Sequence, residues 1–214
     1  MTETAVIEGR AAALAIDNLD TDQIMPKQFL RGIDKSGLDK GLLYDLRFDE
    51  NGRPKPDCVL NRPDYADVSI LISGSNFGCG SSREHAVWGL LEFGIRAVVA
   101  SSFAEIFYSN AVNNRLMLVT LPQDKIARAL ADAADPNRNH VSIDVATLRF
   151  RSASVDALFA LSARHRRMFL EGLDVIGMTL TYRQQIGAFA ERHWSEQPWL
   201  RDVAARTYQR LHSP

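Results

Sequence analysis

Cysteine is scarce in this chain, with Cys58 and Cys79 the only two among 214 residues. That excludes a disulfide-stapled scaffold, and with no sign of an oxidising compartment the two thiols are not expected to pair. An excess of either charge is lacking too. The 25 Lys and Arg against 26 Asp and Glu leave a formal net charge of −1, which gives no electrostatic case for a nucleic-acid partner. No apolar run approaches the roughly 20 residues of a membrane span, so no membrane partner is expected. The opening MTETAVIEGR has neither the basic flank nor the apolar core of a secretory leader, and a cytoplasmic location is the expectation. Internal repeats and low-complexity tracts are also missing. What remains is 46% hydrophobic content in a length suited to one domain spanning residues 1–214, with a helical C-terminal tail from about residue 182.

Against that background, residues 74–86 read GSNFGCGSSREHA. Gly74, Gly78 and Gly80 let the backbone take left-handed conformations and approach a ligand closely. Ser81, with Glu84 three residues on, makes a capping-box pattern that predicts a helix from near Ser82. The unpaired N–H groups and positive dipole end of that helix attract an anion, and Arg83 adds a planar donor fork suited to one carboxylate or phosphate. Upstream, Val68 to Ile72 (VSILI) is a short β-branched apolar run; downstream, after a helix closed by Gly94, Arg96 to Ala100 (RAVVA) is another. The fold class is therefore α/β. A βαβ unit of this kind puts the glycine-rich loop at the carboxyl edge of a parallel sheet, where open sheets bind ligands. The spacing excludes better-known loops. G-x-G-x-x-G would need glycine where Arg83 stands, a P-loop would need Gly-Lys at the distance where Cys79 follows Gly74, and no glycines flank Ser81 or Ser82 as a nucleophile elbow requires.

Elsewhere the pattern predicts a strand over Val6 to Ile16, a long loop over Gly32 to Asp57 and a helix over Ser102 to Asn113. A strand follows over Arg115 to Leu121, then a helix over Pro122 to Ala133 with proline in its first turn, and an alternating strand over His140 to Phe150. Tyr182 to Leu211 is a charged amphipathic helical stretch interrupted at Pro198, whose Trp194 and Trp199 either pack back or meet a partner. Asp17, Asp20 and Asp22 miss the EF-hand spacing and read as Asx-turn residues after a strand rather than cation ligands. Cys79 reads as a small loop residue, His85 as structural rather than a general base, and His165-Arg166-Arg167 as a solvated helix face. Arg31 is read as a surface residue, with a second carboxylate as its alternative partner.

GSNFGCGSSREHAVWGL, together with DNLDTDQIMPKQFL (Asp17 to Leu30), FAEIFYSNAVNN (Phe103 to Asn114) and GLDVIGMTL (Gly172 to Leu180), resembles the 3-isopropylmalate dehydratase small subunits of the aconitase superfamily. The resemblance extends over most of the chain. It implies a swivelling β/β/α domain of the aconitase domain 4 type, detached as its own polypeptide. It also implies a hydro-lyase of leucine biosynthesis that interconverts 2- and 3-isopropylmalate by dehydration and rehydration, active only with a large subunit in a heterodimer or heterotetramer. A four-iron four-sulfur cluster is expected on that partner, and no cofactor or metal on this chain, because two cysteines cannot supply the three thiolates of the aconitase type. By the same resemblance Ser81 is the catalytic base, Ser82 and Arg83 bind the substrate carboxylate, and Asp20, Thr21 and Asp22 support the site. Ile33, Asp34, Lys35, Ser36, Gly37 and Leu38 stand where the leucine-pathway proteins read like TRTGF, and form the expected substrate-selectivity loop. That departure leaves citramalate or dimethylmalate as alternative substrates. The rival classes are a non-catalytic regulatory subunit and a self-sufficient α/β enzyme or phosphate-binding module.

Overall fold

β1 (Val6–Leu14), β2 (Val68–Ser73), β3 (Ala97–Ala100), β4 (Met117–Thr120), β5 (His140–Asp144), β6 (Arg149–Arg151) and β7 (Asp156–Leu158) form one sheet in the order β4-β3-β2-β1-β5-β6-β7. The computed structural model describes residues 5–30 and 36–212, and the chain divides into two compact units, Met1–Asp174 and Val175–Pro214. Strands β1 to β4 are parallel, whereas β5, β6 and β7 continue from β1 as an antiparallel meander. β2 and β3 are buried on both faces, which is why Ile70–Ile72 and Ala97–Ala100 read as apolar runs rather than alternating ones, whereas β1 is buried mainly in its second half. Leu71, Val98 and Leu118 belong to the core on one side of the sheet; Ile70, Ile72, Val99, Met117 and Val119 belong to the core on the other.

Helix α3 (Glu84–Phe93) connects β2 to β3 and α4 (Glu105–Asn113) connects β3 to β4, giving two successive βαβ units. Both helices bury their apolar stripes, Ala86, Val87 and Leu90 from one and Phe107 and Ala111 from the other, in the first core. Helix α5 (Gln123–Ala134) covers the opposite face through Ile126, Ala129 and Ala133. Gly94 closes α3 in the left-handed region at φ +104°, as its position predicts. The start of α3 differs from expectation. Its first residue is Glu84, its N-cap is Arg83, and no side chain caps it. The Ser81–Glu84 capping box does not form: the helix starts at Glu84 itself, and the Glu84 carboxylate accepts the side-chain amide of Asn114, the residue that caps the C-terminus of α4, at 2.5 Å.

Two other expectations change. The stretch Gly32 to Asp57 is not a plain loop where it is described: a 3-10 turn at Leu38–Gly41 and the short helix α2 (Tyr44–Arg47) bring Leu38, Leu42 and Leu43 into the core. Its charges, with Gly37 and Gly52, mark the exposed side of a segment whose Leu38, Leu42 and Leu43 are buried. His140 to Phe150 is two strands, because the Asp144 carboxylate accepts the amides of Ala146 (2.8 Å) and Thr147 (2.9 Å) and turns the chain back. β7 carried no periodicity long enough to be read. Helix α6 (Ala163–Glu171) holds the His165 to Arg167 run, where Arg167 pairs with Glu171 at 2.8 Å and Arg166 donates to the Ala146 carbonyl.

The second unit consists of α7 (Val175–Leu180), α8 (Arg183–Glu196), a 3-10 turn at Pro198–Leu200 and α9 (Val203–His212), with the break at Pro198 that the sequence predicts. Met178 is its buried hydrophobic residue among those described, while Trp194 and Trp199 are exposed. Among the described residues no helix is long and apolar enough to cross a membrane.

Candidate functional site

Because β1 and β2 are parallel neighbours, their carboxyl ends release two loops side by side, and those loops are stitched together residue by residue. The Asn18 amide donates to the Ser75 carbonyl (2.8 Å), the Gly78 amide to Leu19 (2.8 Å), and the Thr21 amide to Cys79 (2.9 Å). Side chains reinforce the seam. Asp17 Oδ1 accepts both the amide (2.5 Å) and the hydroxyl (2.8 Å) of Ser75, while Asn76 donates to Asn18 Oδ1 at 2.9 Å. The Ser75 amide, then its hydroxyl, hold the Asp17 carboxyl below the usual carboxylate range. Asp17 therefore bridges two loops instead of closing its own turn. Asp20 does act locally: its carboxylate accepts the Gln23 amide (2.7 Å) and the Gln23 side chain accepts the Asp20 amide (3.1 Å), a capping box on α1 (Thr21–Ile24).

The Asp-Thr-Asp turn reaches the serine-arginine triplet through two side chains. Thr21, 2% exposed, donates its hydroxyl to the Ser81 carbonyl at 2.8 Å. Asp22 pairs with Arg83, whose side chain is 16% exposed. Ser81 and Ser82 are exposed between these two anchors. With no side chain capping its first turn, α3 presents its N-terminal amides to whatever lies over the triplet, which favours an anion there. Gly78 has φ +77°, and a Cβ at that position would come within 2.2 Å of Cγ of the buried Phe107. Only glycine lets the loop lie this close to α4.

The far side of the loop is held by the end of β3. The Ser102 hydroxyl accepts the Asn76 amide (2.8 Å), the Ser102 carbonyl accepts Phe77 (3.1 Å), and the Phe77 carbonyl accepts Ala104 (3.0 Å). Phe77 is thereby buried beneath the loop, edge-on to Phe107 at 5.2 Å. At the start of α3, Asn114 joins Glu84 to the indole N–H of Trp88, which donates to Asn114 Oδ1 at 2.9 Å. The His85 ring lies against Trp88 at 4.8 Å, the packing contact its structural reading calls for.

Of the selectivity residues, Ile33, Asp34 and Lys35 lie outside the described residues, as does Arg31. Ser36 and Gly37 are exposed. Leu38 corrects an expectation: it is 4% exposed in the first core, so its side chain anchors the segment and cannot form an apolar wall for substrate. The amides of Gly37 and Leu38 each donate to the Glu92 carboxylate at 2.6 Å.

Four contributors escaped sequence reasoning: the Asp17 bridge, Ser102, Asn114 and Glu92. A polar residue just past an apolar strand is a usable signal for the first two. Nothing in local spacing marks Asn114 or Glu92, whose partners lie on other elements. Among the described residues no group of three or more His, Cys, Asp and Glu is placed to hold a metal, and Cys58 and Cys79 are free thiols. Cys79 Sγ donates to the Asn18 carbonyl at 3.2 Å. A cavity of about 420 Å³, lined in part by Ser69, Arg96 and Arg115, opens at the amino edge of the parallel strands, the opposite end from the triplet.

The aconitase C-terminal domain family matches residues 1–124. A 3-isopropylmalate dehydratase small subunit 1 from Chromobacterium violaceum is 61% identical over 211 residues, covering 99% of this chain and 100% of its own. The 3-isopropylmalate dehydratase small subunit of Phenylobacterium zucineum is 46% identical over 195 residues, 91% of this chain and 96% of its own. Among solved structures, a 3-isopropylmalate dehydratase (leuD) from Methanocaldococcus jannaschii is similar with a TM-score of 0.59 and 28% identity, covering 86% of this chain and 99% of that one.

Proposed function

Since the chain belongs to the aconitase C-terminal domain family, we propose that it is the small subunit of a 3-isopropylmalate dehydratase, a cytoplasmic hydro-lyase of leucine biosynthesis. The observation that carries the reading is the convergence of Thr21 on Ser81 and Asp22 on Arg83 at the uncapped start of α3. A dicarboxylic hydroxy acid needs one carboxylate held and one proton removed beside a carboxylate. Arg83 holds the carboxylate. A guanidinium has five N–H donors, so its pairing with Asp22 is compatible with a second, planar contact to substrate. Ser82 adds a hydroxyl, and the amides of the first turn add the positive end of the helix dipole. Ser81 moves the proton. Serine is a weak acid, and its alkoxide draws on the same dipole and on Arg83 for stabilisation. Asp20, Thr21 and Asp22 support the site without touching a metal. Thr21 fixes the Ser81 backbone, Asp22 aims Arg83, and Asp20 caps the turn that presents both.

Two cysteines do not fit a four-iron cluster, so the metal centre and the expulsion of hydroxide fall to a large iron–sulfur subunit in a heterodimer or heterotetramer. The segment from Ile33 to Gly37 selects the substrate side chain, with Leu38 as its buried anchor, because the triplet meets only the carboxylate and hydroxyacid core. The test is reconstitution. The purified chain alone is expected to be colourless and inactive, with interconversion of 2- and 3-isopropylmalate appearing on mixing with an iron–sulfur large subunit. A brown, active preparation of this chain alone would sink the two-subunit reading.

A further inference from the structure

The sequence Ser81-Ser82-Arg83-Glu84 can start α3 in two ways. Serine followed three residues later by glutamate is a pattern that closes on itself: the serine hydroxyl accepts the glutamate amide, and the glutamate carboxylate reaches back to the serine amide. In that self-capped form Ser82 and Arg83 would be helical, and the Ser81 hydroxyl would be taken up by its own helix. The structure holds the other form. Arg83 is extended, at φ −136° and ψ 109°, and the helix begins at Glu84 with no side chain capping it. Three side chains from other elements grip the segment in this open form. Thr21 donates to the Ser81 carbonyl at 2.8 Å, Asp22 pairs with Arg83, and Asn114 donates to Glu84 Oε1 at 2.5 Å. The first two belong to the Asp-Thr-Asp turn. The third comes from the C-terminus of α4 and is aimed by two further bonds: Asn114 Oδ1 accepts the Trp88 indole N–H at 2.9 Å, and Nδ2 also donates to the Asn110 carbonyl at 2.9 Å. With its oxygen turned to the indole, the Asn114 amide presents its NH2 group to Glu84.

We infer that Asn114 is a positioning residue: by holding the Glu84 carboxylate it keeps the start of α3 open, leaving the Ser81 hydroxyl and the first-turn amides to substrate. The inference rests on the reading of Ser81, Ser82 and Arg83 as the site. A self-capped conformer cannot take the substrate carboxylate, so its population raises KM by the inverse of the open fraction, while saturating substrate recovers kcat. If roughly two-thirds to nine-tenths of an Asn114→Ala variant is self-capped, KM for 3-isopropylmalate should rise about three- to tenfold in the enzyme reconstituted with its large subunit. The kcat should change less than about twofold. In the chain alone, the carbon-13 Cα shifts of Ser82 and Arg83 should move toward helical values. Asn114→Asp keeps an acceptor for Trp88 but sets a like charge against Glu84, so it should act in the same direction should the alanine variant fold poorly. Adding Glu84→Ala to either variant removes the returning arm of the box and should bring KM back to within about twofold of the wild-type value.

Unchanged Cα shifts in both Asn114 variants would overturn the inference, and so would an unchanged KM. A raised KM that Glu84→Ala does not reverse would overturn it too, because deleting the partner does not rescue a merely structural contact. Arg83→Lys in the same assay separates this from failure of the site. If Arg83→Lys raises KM and the Asn114 variants do not, the site stands and the inference falls; if Arg83→Lys and Ser81→Ala both leave the kinetics near normal, the site reading has failed and takes the inference with it.

Discussion

Replacing Thr21 with valine removes a single bond from the candidate site and almost nothing else. Valine keeps the β-branched shape of threonine and differs by the hydroxyl, and the side chain is 2% exposed, so no cavity forms and no surface changes. What is lost is the 2.8 Å hydrogen bond to the Ser81 carbonyl. A neutral bond of this kind is worth about 0.5–1.5 kcal/mol net, and because Ser81 is exposed its carbonyl can turn to water, which puts the loss at about 1 kcal/mol or less. For a chain of this size that is a drop of at most about 2–4 °C in Tm. The kinetic effect should be larger in proportion. A displacement of about 1 Å at a reacting group costs about a hundredfold, but the Thr21–Cys79 and Leu19–Gly78 backbone bonds still hold the seam. The shift of Ser81 is then a fraction of that, and kcat should fall about tenfold with KM held within about twofold. Thr21→Ser keeps the hydroxyl and should restore kcat while giving up a methyl group of packing. Steady-state kinetics on the reconstituted enzyme and thermal unfolding of the chain alone read the two effects separately. A valine variant with lowered Tm but unchanged kcat would refute the reasoning and reduce Thr21 to a stability contact. A rise in KM instead would mean that the bond orients Arg83 rather than Ser81.

Ser81→Ala should lower kcat by about a hundredfold or more while leaving KM little changed, since proton transfer is lost and binding is not. Arg83→Lys should chiefly raise KM, because an ammonium cannot share a planar fork between Asp22 and a substrate carboxylate; near-normal kinetics in both variants would remove the triplet from the mechanism. Gly78→Ala forces a side chain into the left-handed region and against Phe107, and should cost about 1–3 kcal/mol of stability, read as a lower urea midpoint, with activity falling further as the loop shifts. Asp132 is buried. That burial raises its pKa, but the two hydroxyls and one amide of Ser152 and Ser154, together with Arg138, outweigh it and leave the carboxyl below its usual range. A depressed carboxylate stabilises the fold above its unfolded pKa of about 4 and loses that contribution as pH falls through the folded value, so urea midpoints should drop in acid. Asp132→Asn should already be destabilised at pH 7 and should show less of that acid dependence.

The parts of the molecule legible in the sequence are those whose cause is local. VSILI and RAVVA read as buried parallel strands because burial on both faces favours consecutive apolar, often β-branched residues such as Ile70 to Ile72 and Ala97 to Ala100, and Gly94 reads as a helix end because few other residues tolerate its φ. The glycine-rich loop was legible for the same reason. The capping box at Ser81 rests on the same local rule and does not form, since α3 starts at Glu84 and Glu84 bonds to Asn114, thirty residues away at the end of another helix. Gly32 to Asp57 misled because its composition averages an exposed face over buried leucines. The contacts that turn the loop into a site are longer in range still. Thr21 and Ser81 are sixty residues apart, and so is the bridge from Asp17 to Ser75, nearly enough, at fifty-eight. Their register depends on the pairing of β1 with β2, in which Leu14 faces Ser73, and that pairing places Asp17 and Ser75 just past the strand ends. Sliding β1 by one residue against β2 would turn its core-facing side chains to the other face of the sheet. The same slide would take Thr21 out of reach of Ser81, so the residues that fill the two cores also set the geometry of the triplet.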